Sequence, residues 1–297
     1  MTTTRTISPG LERVVRTALT EDLGLGGDLT TRLTVPGDAA GTAYIVSREE
    51  GVLSGDEAAT ATFTAVDPTL QIDWAKQAGD KLATGDLVAT ISGSARSVLT
   101  AERTALNLLG HLTGIASRTS IFVDLVDGTK ARIVDTRKTT PGLRELEKQA
   151  VLDGGGTNHR FGLYDAVLVK DNHIGLGGGL LPVLDRLAAG GGHLVRVEIE
   201  VDTIEQLDTV LAFDAERISE GLAPVVHAVL LDNMEAWQVA TGVSHIRRHP
   251  APLVAEVSGG VNEETVQELA RAGADAISVG AITHSVTCHD FGLDLQA

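Results

Sequence analysis

Arg137, Lys138, His159, Arg160 and Lys170 fall inside one stretch, 131–174, of a chain whose formal net charge is −16. Arginine offers a forked donor that matches a carboxylate, while lysine and histidine add compact charge and single donors. Gathering them against the overall sign of the chain implies a pocket for a small, multiply anionic molecule. The long-range field of an acidic protein repels such a ligand, so local cations and backbone amides must hold it. Some neighbours carry open readings. Arg144 and Lys148, on the intervening helical stretch, face either solvent or a phosphate, and His173 either joins the site or caps the following loop.

Glu200 and Asp232 form an acidic counterpart further along. Carboxylates in such a place can hold Mg²⁺ or sugar hydroxyls, or stabilise a developing positive charge. Glu198 lies two residues from Glu200 on the same strand and shares its face. The choice of Glu200 therefore rests on its terminal position, and either residue could serve a structural ion pair. Ser258-Gly259-Gly260 and Ser278-Val279-Gly280 each follow an apolar run. Glycine there lets backbone N–H groups approach and cradle a phosphate, and serine adds a hydroxyl. GLGGG at 175–179 lacks the spacing of a dinucleotide fingerprint and reads as a mobile loop. A cationic pocket, two acidic groups and a phosphate cradle together suggest phosphoribosyl transfer to an acidic acceptor.

These residues need elements to position them. Past residue 130 the sequence alternates strand and helix, with candidate strands ARIVDTR, AVLVK, LVRVEIE, HAVLLD, LVAEVSG and AISVG. Their near-continuous apolar character predicts burial on both faces of a parallel sheet. Each ends in a polar group, and in β/α barrels that end of the strands is where a site is built. Between residues 262 and 272 an N-cap, acidic first-turn residues and the trailing Gly273 predict a helix. Upstream, Ser8-Pro9 predicts a helix start. Short strands occupy 42–91, with GDKLATGDLVA read as a hairpin. A helical pattern over 100–126 is expected to break near Gly114. Arg103, beside Glu102 near its start, reads as a solvated pair, although the helix dipole disfavours a cation there and leaves a partner elsewhere open. Asp22 and Asp28, in EDLGLGGDLTTR, read as turn and cap residues.

The length, 297 residues, suits one large domain or two smaller ones, and 43% apolar with 22% charged residues is ordinary globular composition. Net acidity argues against nucleic acid and anionic membrane as partners. The lone Cys288 excludes an intrachain disulfide and a Cys-rich metal site. The first ten residues hold no apolar core of a secretion signal, and no apolar run approaches the roughly 20 residues of a membrane span. A cytoplasmic protein is expected.

The segments EDLGLGGDLTTR, ERTALNLLGHLTGIAS, DTRKTTPGLRELEKQAV, GGGTNHRFGLYDAVLVKDNHI, VEIEVD, LLDN, VSGGV and SVGAITHSV run through almost the whole chain. In content and order they resemble the quinolinate phosphoribosyltransferase family. DTRKTTPGLR and the GGG-x-x-HR-x-GL-x-D pattern carry the most specificity. The resemblance implies an α/β protein: an N-terminal α/β sandwich domain over 1–112, joined by 283–297, and an incomplete α/β (TIM-like) barrel over 113–282. It implies a homodimer, Mg²⁺, and the substrates quinolinate and 5-phosphoribosyl 1-diphosphate. Carried over by motif, Arg137, His159, Arg160 and Lys170 would bind the quinolinate carboxylates, and Arg103 would reach the neighbouring subunit's site. Lys138, Glu200 and Asp232 would handle the donor, with Glu200 and Asp232 at the metal, and Lys170 would count with these three among the catalytic residues. Ser258, Gly259, Gly260, Ser278 and Gly280 would hold the 5-phosphate. The product would be nicotinate mononucleotide, for NAD biosynthesis. Related enzymes using nicotinate, or a non-catalytic paralogue, are the rival readings. Two departures stand out. The segment between Glu200 and Asp232, with FDAERISEGLAPVVH, is longer than the family's by roughly ten residues against ordinary connection lengths, which could alter the mouth or an interface. Val257 stands where the family more often has alanine.

Overall fold

The computed structural model describes residues 8–296. The reading of the extreme N-terminus as lacking a signal lies outside them, except for its last residues. Ser8 caps α1 (Pro9–Leu23), its hydroxyl accepting from the Leu11 amide at 3.1 Å with proline at the first helical position, as expected. Asp28 likewise caps α2 (Leu29–Thr34), accepting from the Thr31 amide at 2.9 Å, as its cap reading expects.

Next come β1 (Ala40–Ser47), β2 (Gly51–Val52), α3 (Asp56–Val66), β3 (Gln71–Trp74), β4 (Lys81–Leu82), β5 (Leu87–Ser94) and α4 (Ala95–Leu125). The second half holds β6 (Arg132–Val134), α5 (Arg144–Asp153), β7 (Val167–Val169), α6 (Asp171–Leu176), α7 (Leu180–Gly190), β8 (Val197–Val201) and α8 (Ile204–Ser219). It closes with β9 (Ala228–Asp232), α9 (Ala236–Ile246), β10 (Val254–Ser258), α10 (Val266–Arg271), β11 (Ala276–Ser278), α11 (Ala281–His284) and β12 (Phe291–Gln296).

The chain divides into two compact units. One comprises the described part of Met1–Ser120 with Lys138–Gly155 and Ile282–Ala297; the other comprises Ile121–Arg137 and Gly156–Ala281. The first holds an antiparallel sheet of order β12-β1-β5-β3, so the C-terminal segment does join the N-terminal sheet. Its core gathers Ala43 and Ile45 of β1, Ala89 and Ile91 of β5, Phe63 of α3, and Ala101, Ala105 and Leu109 of α4. The α4 apolar residues recur at helical spacing and seal one face of the sheet.

Two local expectations fail here. GDKLATGDLVA is no hairpin: β4 pairs with β2, while β5 pairs with β1 and β3. Its Gly-Asp turn connects different sheets, which a local reading cannot distinguish from a hairpin turn. Nor does α4 break at Gly114; it is one helix of 31 residues. A Cβ on Gly114 would lie 2.2 Å from the Thr287 carbonyl oxygen, and one on Gly110 would lie 2.6 Å from that of His289. Both glycines let the segment leading into β12 approach the helix, which is a tertiary demand.

The second unit is an open six-stranded parallel barrel of order β6-β11-β10-β9-β8-β7, and all six candidate strands are realised in it. Its edge strands do not pair with each other; Thr157 bridges to Val134 instead, as an isolated parallel bridge. Every residue of β8 is buried, both glutamates included. The long stretch after Glu200 is absorbed by α8 and the turn beyond it. Asp214 is buried on α8 and accepts from the Val225 amide at 2.6 Å, tying the end of that stretch to the approach of β9. In a βα unit this connection lies at the N-terminal ends of the strands, away from the mouth.

Candidate active site

Register determines which polar groups meet. In β8 and β9, Glu200 pairs with Leu230, and Asp232 lies two residues further along β9. Glu256 of β10 also pairs with Leu230, Ser258 with Asp232, and Ala276 of β11 with Glu256. Side chains alternate with period two, and directly paired residues point to the same face. Glu198, Glu200, Asp232, Glu256, Ser258 and Ser278 therefore share one face of the sheet. Lys170 follows Val169, which pairs with Ile199, so it falls level with Glu200. The Lys170 ammonium donates to Glu200 Oε2. Glu200 is buried and Lys170 exposed, so the pair spans the boundary between the packed interior and the opening.

His159 sits at the bottom of this opening. Its backbone amide donates to the fully buried Asp135, just beyond β6, at 2.8 Å. Its Nδ1 accepts from the Arg160 amide at 2.6 Å, which places the ring proton on Nε2. Nε2 lies 3.0 Å from Glu198 Oε2 and 3.5 Å from Glu256 Oε1. Burial works against a charged ring, but the hydrogen bonds to Glu198 and Glu256 outweigh it and push the His159 pKa up to about 10. A second ring proton would go on Nδ1 and would displace the Arg160 amide. Burial pushes the Glu198 carboxyl up to about 7, against the hydrogen bond from His159. Its Oε1 is buried with no hydrogen-bond partner. Burial also raises Glu256, yet the bonds from His159 and Ser278 bring it below the ordinary glutamate value. These three residues offer ligand atoms within 4.8 Å of one another, but the ring proton already lies between the carboxylates.

The other cations line the rim. Arg160 Nη1 donates to the Ala166 carbonyl at 3.1 Å. Burial and then the charge of Arg137 lower the Arg160 pKa, so the two guanidiniums are close enough to repel. Two like charges held together form a place where a dianion gains more than it would from either alone. Asp165 accepts from the Phe161 and Gly162 amides at 2.6 and 2.9 Å and shapes the loop behind Arg160. His173 Nδ1 accepts from the Lys170 amide at 2.9 Å, so of its two readings the cap is the one found. GLGGG finishes α6 and turns into α7, Gly178 and Gly179 both having positive φ.

The first glycine loop is anchored by Asn233, which the sequence reading passed over. Asn233 has φ 54°, rare for a residue with a Cβ, and its amide N donates to the Ser258 carbonyl at 2.9 Å. Its side chain donates to Asp232 Oδ2 at 2.6 Å. A Cβ on Gly259 (φ 90°) would lie 2.2 Å from Asn233 Oδ1, so only glycine fits there. The Ser278 hydroxyl turns inward and donates to Glu256. Val257 is buried, consistent with a packing role. Glu256 itself was missed, although its spacing of two from Ser258 in VAEVSGG signalled the shared face.

Arg103 and Lys138 belong to the first unit. Arg103 is exposed, 4.0 Å from Glu102, as its solvated reading expects. The Lys138 carbonyl accepts from Thr283 Oγ1 at 2.9 Å. Lys148 is not solvated: at 2% exposure it is packed in the first unit on α5. Its neighbour Glu147 takes His111 at 2.8 Å and the Thr140 amide at 3.1 Å. Arg144 donates to Thr139 Oγ1 at 2.9 Å.

Models of the quinolinate phosphoribosyl transferase N-terminal and C-terminal domains match residues 28–113 and 115–294. The chain belongs to the quinolinate phosphoribosyltransferase family. It is 42% identical to the carboxylating nicotinate-nucleotide pyrophosphorylase of Mycobacterium leprae, over 95% of each chain. It is 37% identical to the probable enzyme of the same name from Bacillus subtilis, over 96% of this chain and 93% of that one. Among solved structures, the nicotinate-nucleotide pyrophosphorylase from Ehrlichia chaffeensis superposes with a TM-score of 0.88 at 35% identity, covering 98% of this chain and all of that one. The family junction, between residues 113 and 115, falls within α4. The compact units instead change over at Ser120 and reclaim Lys138–Gly155 for the first. Among the described residues, no helix is long and apolar enough to cross a membrane.

Proposed function

We propose that this chain transfers a phosphoribosyl group from 5-phosphoribosyl 1-diphosphate to quinolinate, with decarboxylation, giving nicotinate mononucleotide, diphosphate and CO₂ for NAD biosynthesis. The observation that carries this reading is the closeness of the Arg137 and Arg160 guanidiniums, together with the contact of Lys170 to the buried Glu200. A dicarboxylate answers that arrangement better than a monocarboxylate does. Arg137, Arg160, Lys170 and His159 bind the two carboxylates of the acceptor. Lys138, with Glu200 and Asp232, handles the donor, and Arg103 reaches the site of a second copy in a homodimer.

The pyridine nitrogen forms its bond to the anomeric carbon as the bond to the diphosphate oxygen breaks. Glu200 and Asp232 face the positive charge that develops on the ribose. The loops at 258–260 and 278–280 hold the 5-phosphate and keep the donor in line. The cationic pyridinium stabilises the electron pair left on C2 as the 2-carboxylate leaves as CO₂, and a proton from solvent then takes that position. No side-chain nucleophile is needed, and the exposed Cys288 has no part in this. Glu200 and Asp232, carboxylates on one face of adjacent strands, are the hard oxygen donors that Mg²⁺ takes. Bound there, Mg²⁺ would offset diphosphate charge.

Steady-state assays with quinolinate and with nicotinate test the reading. Release of one CO₂ per nucleotide from quinolinate, with no turnover of nicotinate, is expected. Turnover of nicotinate at a comparable rate would overturn the choice of acceptor, and binding of quinolinate by calorimetry without turnover would overturn the enzyme.

A further inference from the structure

Glu256 joins the two halves of the site through one atom. Its Oε1 lies 3.5 Å from His159 Nε2 and accepts the hydroxyl of Ser278. His159 is placed in the acceptor half by the reading above, and Ser278 opens the second phosphate loop. Glu256 is itself buried at 5% exposure on β10, the strand that also carries Ser258 into the first phosphate loop. Around this oxygen the packing leaves little room to rearrange. Glu198 holds Nε2 from the other side at 3.0 Å, Asp135 holds the His159 backbone at 2.8 Å, and the Val279 amide is fastened to the Val134 carbonyl at 2.9 Å. A displacement of Ser278 by a bound phosphate therefore moves Glu256, and a displacement of Glu256 moves the His159 ring.

We propose that Glu256 is a positioning residue that couples acceptor binding to phosphate binding, by holding His159 and Ser278 on one carboxylate oxygen. This rests on the proposed acceptor and donor assignments. It acts through the two residues it holds and touches neither substrate. Because the link is an acceptor atom in a fixed place, the amide oxygen of glutamine can replace it and a leucine of similar size cannot.

Glu256→Leu should raise the KM for quinolinate and the KM for the phosphoribosyl donor together, each by at least tenfold, with kcat changed less than threefold. Glu256→Gln should bring both back to within threefold of the wild type. Movement of only one KM, or equal damage from Gln and Leu, would overturn the proposal. A second measurement needs no substrate and survives a failure of Glu256→Leu to fold. In a double-mutant cycle of His159→Gln and Ser278→Ala, the two effects on the folding equilibrium constant should be non-additive by at least fivefold. Additive effects would overturn the coupling. Turnover of quinolinate by the wild type reports separately on the acceptor assignment, so failure of that reading and failure of the bridge give different results.

Discussion

The two ends of the six-stranded sheet treat a carboxylate in opposite ways. At the N-terminal end, Asp275 precedes β11 and is saturated. Arg247 Nη2 lies 2.7 Å from both its oxygens, Lys130 Nζ lies at 2.9 Å, and the Ala255 amide donates at 2.8 Å. Burial alone would raise its pKa, but the Arg247, backbone and Lys130 bonds lower it. At the C-terminal end, Glu198 is more deeply buried and has an oxygen with no partner, and its pKa is pushed up to about 7. One end spends its polar groups on each other and holds the strands in place. The other keeps buried charge incompletely matched, at a cost in stability, where the proposed chemistry needs it.

The contrast can be broken most sharply at the mouth. Arg137→Ala and Lys170→Ala should each lower kcat/KM for quinolinate by about two to three orders of magnitude, from the loss of a charge-assisted contact to a desolvated carboxylate. Circular dichroism should show the fold intact, and near-normal activity in either variant would remove that residue from the pocket.

The next effect is on stability. The folded pKa of Glu198 lies above its ordinary value of 4.5, so its contribution is fully present below pH 4.5 and is lost as pH rises through about 7. Over that window the loss amounts to about 3 kcal/mol at one pKa unit per 1.4 kcal/mol. Urea denaturation of Glu198→Gln across pH 4.5–8 should show that decline flattened. A slope identical to that of the wild type would mean Glu198 is not the strained group.

At the other end the signs reverse. Asp275→Ala should cost about 1–2 kcal/mol, the net worth of hydrogen bonds to charged partners at a half-buried site, and leave kcat/KM unchanged. Asp275 is held below its ordinary value of 3.8, so its contribution is present above that pH and is lost as pH falls through the folded value. Asp275→Asn should therefore flatten the acid limb of the stability curve, the smallest change of the set. An Asp275 variant that altered catalysis but not stability would erase the distinction between the two ends.

Much of this was readable in advance where the signal was local and repetitive. Six apolar strands each ending in a polar residue, and the cap residues Ser8 and Asp28, behaved as their chemistry required. Glycines were the recurrent source of error. Gly114 looked like a helix breaker because conformational cost is the visible property of glycine. Its actual use, admitting the Thr287 backbone, involves a segment more than 170 residues away. Lys148 was open to a solvated reading because lysines usually are exposed; its burial depended on α5 packing within the first unit. The elongated stretch between Glu200 and Asp232 was open to altering the mouth or an interface; where it runs from α8 to β9, the Val225 amide donates to Asp214.

The sequence alone determined the alternation of strands and helices, the cationic character of 131–174, and the family, since all three depend on residue type and spacing along the chain. Only the tertiary structure decided which charges touch. Strand order brings β10 between β11 and β9, so that Glu256 meets Ser278 of the next strand and His159 from beyond β6. Electrostatic energy depends on distance and burial in space, and neither quantity is written in the spacing of residues along the chain.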